Sequence, residues 1–135
     1  MIRVTYALVL AVSVVMMPGG AEAQSTDVTF HKDVEPILQR SCQVCHRPDN
    51  MAPMSLMNYQ EARPWARSIK NKVVSREMPP WHVDPNVGIQ AFKQDRSLSK
   101  TEIDKIAAWV DAGAPRGNPA DAPPPAELPD FGAWE

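Results

Sequence analysis

Cys42-Gln43-Val44-Cys45-His46 is the stretch on which the reading of this 135-residue chain turns. Two thiols three positions apart, followed directly by an imidazole, form the C-x-x-C-H pattern by which a haem is held covalently. Chemistry explains the spacing. On one helical turn both thiols reach the vinyl groups of one porphyrin edge, and His46 then lies beneath the iron and offers a nitrogen as proximal ligand. Other chemistries use the same residue types. A disulfide between Cys42 and Cys45 would close a very short loop and constrain little of the unfolded chain. A thioredoxin-type dithiol normally follows a strand, and no convincing strand pattern precedes Cys42. A structural zinc site needs two further ligands, and His31, His46 and His82 are too scattered to resemble a paired finger.

The start of the chain agrees with the haem reading. Met1-Ile2-Arg3 is a short basic opening, and Val4 to Met17 is an uncharged, mostly apolar run of fourteen residues. Pro18-Gly19-Gly20 breaks it, and Ala21-Glu22-Ala23 has the small-residue form of a cleavage site. These features predict a signal peptide over residues 1–23 and a mature chain from Gln24. Fourteen residues fall short of the roughly 20 that span a bilayer, so an uncleaved anchor is the lesser reading. No cysteine near the cleavage site supports a lipid anchor. Export across the cytoplasmic membrane, with a periplasmic destination, is the expectation, and covalent haem attachment takes place on that side.

A six-coordinate iron needs a second axial ligand. Met78-Pro79-Pro80-Trp81 lies 32 residues beyond His46, enough chain to travel round the macrocycle. Each proline fixes its own backbone angle and also pushes the preceding residue out of the helical region. Met78 is therefore expected to present its thioether from a stiff loop at the end of a helix. His82 is the competing ligand. Met51, Met54 and Met57 lie so close behind His46 that the chain would cross the ring edge almost fully extended, and gap filling suits them better. An open or water-ligated iron is the remaining case.

Taken together, these residues resemble a small monohaem c-type cytochrome of class I type over about Thr29 to Gly113. The resemblance rests on Cys42-Gln43-Val44-Cys45-His46, on Met78-Pro79-Pro80, and on Ile103 to Val110 with its Trp109. Phe30-His31-Lys32-Asp33-Val34, Ala62-Arg63-Pro64-Trp65-Ala66 and Arg76-Glu77-Met78-Pro79-Pro80-Trp81 are similar to periplasmic cytochrome domains found alone or fused to other redox modules. The resemblance implies an all-α, class I cytochrome c-like fold of about three main helices wrapped around one covalent haem (heme c). In it, Cys42 and Cys45 would be the thioether anchors, and His46 and Met78 the axial iron ligands. The first and last helices of that fold cross, which implies packing of Trp109 on Phe30 or Val34. The interval from His46 to Met78 is shorter than in many class I cytochromes, which implies trimmed loops and a more exposed haem edge.

Periodicity gives the elements. Phe30, Val34, Ile37, Leu38 and Cys42 recur at helical spacing, with Pro36 in what would be the first turn of a helix beginning near Glu35. Asn58 and Glu61 resemble a capping box for a second helix, with Tyr59, Ala62, Ala66, Ile69 and Val73 facing inward and an end near Glu77. Ser99 and Glu102 form a stronger box before Ile103, Ile106, Ala107 and Val110, and Gly113 is placed to end that helix. Trp65 and Trp81 are expected to fill the core, or alternatively to hold a haem propionate through the indole N–H.

These signals divide the chain into a signal peptide (1–23), a cytochrome domain (24–113) and a proline-rich tail (114–135). The tail holds Pro115, Pro119, Pro123, Pro124, Pro125 and Pro129 and ends with Phe131 and Trp134. Such composition favours extended polyproline-like backbone. It is open whether this tail wraps the domain, spaces it from another, docks a partner or stays disordered. Formal charge is −2, and losing the signal leaves it unchanged because Arg3 and Glu22 cancel. Nothing argues for nucleic-acid binding. Arg63, Arg67, Lys70, Lys72 and Arg76 crowd the second helix, either as a solvated face or as a surface that steers an acidic redox partner. The expected function is electron carriage by a low-spin His/Met haem iron, without enzymatic activity, between a donor and an acceptor the sequence does not name. The alternatives are a haem sensor or peroxidase-like enzyme with a labile distal ligand, and an electron-delivery subunit of a periplasmic oxidoreductase.

Overall fold

Pro36 decides how the first helical segment begins. It has no N–H to donate to Lys32, and in an α-helix its ring would press on that carbonyl. The chain answers with a wider turn of π type over Phe30–Val34, and only then enters helix α1, Glu35–Ser41. The computed structural model describes residues 28–80, 84, 86–88, 92–93 and 95–129. The expected signal peptide, Trp81, His82, Phe131 and Trp134 lie outside the described residues.

The expected second helix is broken in two. Helix α2, Tyr59–Ala62, passes through a 3-10 turn at Arg63–Trp65 into helix α3, Ala66–Val74. Pro64, again lacking a donor, sits in that tighter turn. Asn58 caps α2 by accepting from the Glu61 amide at 3.0 Å. The Glu61 carboxylate does not close the box. It turns back instead to the Met57 amide at 3.0 Å and to the Ser55 hydroxyl. Helix α4, Lys100–Asp111, opens with the complete box, the Ser99 amide donating to Glu102 and the Glu102 amide to Ser99 Oγ. It closes with Gly113 in the left-handed region, at φ 88°, and with amide bonds from Gly113 to Val110 and from Ala114 to Trp109. Among the described residues the fold is helical, without strands.

The core gathers where α4 packs across α3 and the π turn. Phe30 and Trp109 are both fully buried, their ring centres 5.8 Å apart, and Tyr59 meets Phe30 edge-on at 5.4 Å. Leu38, Ile69, Val73, Leu98, Ile103 and Ile106 also belong to it. Trp65 corrects the expectation of core filling. It is 44% exposed, because the 3-10 turn carrying Pro64 rotates it off the inward face of α3. No helix among the described residues is long and apolar enough to cross a membrane.

Beyond Gly113 the chain folds back as a strap. Its carbonyls at Pro115 and Arg116 accept from the Phe30 and His31 amides at 3.0 and 3.2 Å. The Pro115 carbonyl also takes the Trp109 indole N–H at 2.9 Å, and Ala114 takes the Tyr59 hydroxyl at 3.0 Å. A 3-10 turn at Pro119–Asp121 follows, capped by Asn118. The strap then runs beside α1, where Pro124 accepts from Gln39.

Candidate functional site

Helix α1 ends at Ser41, and the motif begins as the helix stops. The Cys42 carbonyl accepts from the Cys45 amide at 3.1 Å and the His46 amide at 2.9 Å, so Cys42–His46 forms one closed turn. A loop then folds back over it. Ala52 donates to the Cys45 carbonyl at 3.3 Å and Leu56 to the His46 carbonyl at 2.9 Å. Gln43, only 2% exposed, donates from its side chain to the Leu56 carbonyl at 3.0 Å. The residue types inside the motif thus divide the work: Gln43 and Val44 are buried in protein, while Cys42, Cys45 and His46 keep accessible surface.

That accessible surface opens into a cleft of about 580 Å³. Ser41, Cys42, Cys45 and His46 contribute to its lining, with Met51, Ala52 and Pro53 from the following loop and Met78, Pro79 and Pro80 from the far side of α3. Among the described residues, Phe92, Lys93, Asp95 and Arg96 also line it. Its volume lies within the range of about 300–1,000 Å³ usual for small-molecule and cofactor sites. The four sequence-predicted site residues, Cys42, Cys45, His46 and Met78, all line this one cleft.

His46 is held in a defined form. Its Nδ1 lies 3.1 Å from the Met54 carbonyl, which can only accept, so Nδ1 is the donor, and in the neutral ring Nε2 is then the nitrogen with a lone pair. A backbone carbonyl orienting the far nitrogen in this way is the usual support of a metal-binding histidine. Burial pushes the Cys42 thiol up to about 12, against a smaller opposing pull from Arg40. No group of three or more His, Cys, Asp or Glu side chains among the described residues is placed to hold a metal ion, so zinc finds no closed ligand set there.

Met78 owes its place to the end of α3. Arg76 adopts a left-handed conformation at φ 57°, its amide bonds Val73, and the Glu77 amide bonds Lys72 at 3.0 Å. These are the bonds of a Schellman cap, formed here without glycine. The Met78 amide joins the same Lys72 carbonyl at 3.1 Å, and the Met78 side chain remains 39% exposed. Of the competing methionines, Met54 packs on the core, while Met51 lines the cleft at 70% exposure.

Three contributors escaped the sequence reading. The Gln43 side chain donates to a backbone carbonyl and the Met54 carbonyl accepts from His46, and for pairings with backbone sequence has no motif. Ser41, 4% exposed and lining the cleft, has a buried hydroxyl without a partner among the described residues. An orphaned donor beside an apolar cleft fits a site made to receive a group. Compared with family models, curated proteins and solved structures, the chain finds no match.

Proposed function

We propose that the cleft holds one covalently attached haem and that the protein is an exported monohaem cytochrome c of class I type, carrying single electrons between redox partners. One observation carries the reading: Cys42, Cys45, His46 and Met78, chosen for their chemistry, line one mostly apolar cleft. The haem would supply one-electron iron chemistry. Cys42 and Cys45 would anchor it through thioethers. His46 would ligate through Nε2, whose lone pair is kept free by the bond from Nδ1 to Met54. Met78 would offer its thioether from the opposite stretch of chain, and a methionine ligand raises the reduction potential. Apolar lining from Ala52, Pro53, Pro79 and Pro80 limits water, which further disfavours the more positive oxidised centre. No substrate pocket is needed for this role, and the protein acts as a carrier rather than an enzyme.

The 39% exposure of Met78 favours one second reading, a sensor or peroxidase-like haem protein whose distal ligand is displaced. Absorption spectra of the oxidised haem-loaded protein distinguish the two. Wild type is expected to display a methionine–iron charge-transfer band that Met78→Ala abolishes. A low-spin spectrum unchanged by the substitution would transfer the ligand role to His82 or Met51. A high-spin wild type, binding carbon monoxide without denaturant, would overturn the carrier reading.

A further inference from the structure

The strap meets the N-terminal half of the domain at successive points before, on and beyond α1. It starts at Phe30 and His31, continues with the Gln39 side chain donating to the Pro124 carbonyl at 3.2 Å, and arrives at Arg47, whose guanidinium donates to the Pro129 carbonyl at 2.5 Å. Extended polyproline-like backbone makes no internal hydrogen bonds, so its carbonyls are free to accept from a neighbouring helix. Its stiffness also lowers the entropy lost on docking.

The entrance to this path is tightly fitted. Gly117 has φ +76°, and a Cβ there would lie 2.4 Å from Thr29 Oγ1 and 2.5 Å from Thr29 Cβ. Its exit lies against the haem-binding motif. Val44 belongs to the Cys42–His46 turn but does not line the cleft. It faces instead a groove of about 380 Å³ shared with Pro36, Gln39, Leu128 and Pro129. The turn therefore has two sides, Cys42, Cys45 and His46 on the cleft and Val44 toward the strap.

We propose that the strap, Ala114–Pro129, holds the Cys42–His46 turn from its outer side, with Arg47 as the positioning residue for His46. Arg47 follows His46 directly, so tying its guanidinium to Pro129 restrains the backbone that carries the proximal ligand. Releasing it loosens that turn without unfolding the core around Trp109. The consequence for redox behaviour rests on the haem reading of the cleft. The mechanical claim does not.

The test compares full-length Arg47→Ala, Arg47→Lys and Gly117→Ala with Ser99→Ala, which removes the cap of α4 and leaves the strap's own contacts in place. Loss of one charge-assisted bond raises a local opening constant roughly tenfold. Hydrogen exchange at the Cys45 and His46 amides should therefore quicken about tenfold in Arg47→Ala and in Gly117→Ala, with partial recovery in Arg47→Lys. Amides of α4 should stay as in wild type in those three, and Ser99→Ala should show the reverse pattern. In the haem-loaded protein the reduction potential should move in Arg47→Ala and not in Ser99→Ala. Unchanged exchange at Cys45 and His46 in both strap variants overturns the proposal. So does equal acceleration there in Ser99→Ala. A wild type that carries no covalent haem would defeat the cleft reading alone, since exchange still decides the strap.

Discussion

Trp109 is the residue whose loss should cost the fold most, and its surroundings allow the cost to be divided. Its side chain is fully buried, packs on Phe30, and donates its indole N–H to the Pro115 carbonyl. In Trp109→Phe the lost ring leaves a void of roughly 40 Å³, about 1 kcal/mol at ~24 cal/mol per Å³. The hydrogen bond adds about 1 kcal/mol and no more, because Pro115 keeps the Phe30 amide as a donor and is not orphaned. Trp109→Ala should cost about 3–5 kcal/mol for the lost side chain, with the same hydrogen bond in addition. Urea unfolding followed by far-ultraviolet circular dichroism reads both. With a slope of about 1 kcal/mol per molar for a domain this small, Trp109→Phe should lower the midpoint by about 2 M. Trp109→Ala should approach the whole stability of a domain near the low end of about 5–15 kcal/mol. A loss under about 1.5 kcal/mol in Trp109→Ala would refute the placement of Trp109 at the centre of the core.

Two further substitutions probe the elements that present the site. The Ser55 hydroxyl holds the Glu61 carboxyl below its usual value, aided by Met57 and Asn58 and opposed by burial. Its stabilisation is therefore present above the unfolded carboxyl value of about 4.3 and lost as pH falls through the lower folded value. Glu61→Gln should cost about 1 kcal/mol at pH 7, and its stability curve should converge on wild type in acid. A gap that persists at pH 3 would mean that charge is not the cause. Arg76→Gly should relieve the left-handed strain at the end of α3, net of the added chain entropy, and raise the melting temperature by about 2–4 °C. A falling melting temperature would show that the Arg76 side chain stabilises more than its backbone conformation costs.

Helix α4 was legible because its signals agree: Ser99 and Glu102 at one end, Gly113 at the other, and Ile103 and Ile106 between them on the buried side. Ala107 and Val110, assigned to the same stripe, are only half-buried, since Trp109 takes the deepest position. The break at Arg63–Trp65 was less visible. Pro64 is tolerated near a helix start, and nothing local distinguishes a helix that continues through it from one that tightens and turns Trp65 outward. At the site, side-chain chemistry named the residues that meet in the cleft. The bond from His46 to Met54 could not be read, because any loop residue has a carbonyl and only the path of residues 47–58 selects one. The strap lay beyond reach for a related reason. Proline content predicts extended backbone, but its docking depends on Gln39, Arg47 and Gly117, residues that no composition rule connects.

The Lys72 carbonyl receives both the Glu77 and the Met78 amides. Met78 thus takes its coordinates from the helix behind it and owes little to the chain ahead. This separates two design variables that a loop-borne side chain would tie together. Insertions or deletions beyond Pro80 can reshape the rim of the cleft while Met78 keeps its place in the lining opposite His46. Lengthening α3 by one residue has the opposite effect. It would swing Met78 by about 100° around the helix axis and carry it off the cleft, however well the rest of the domain packed.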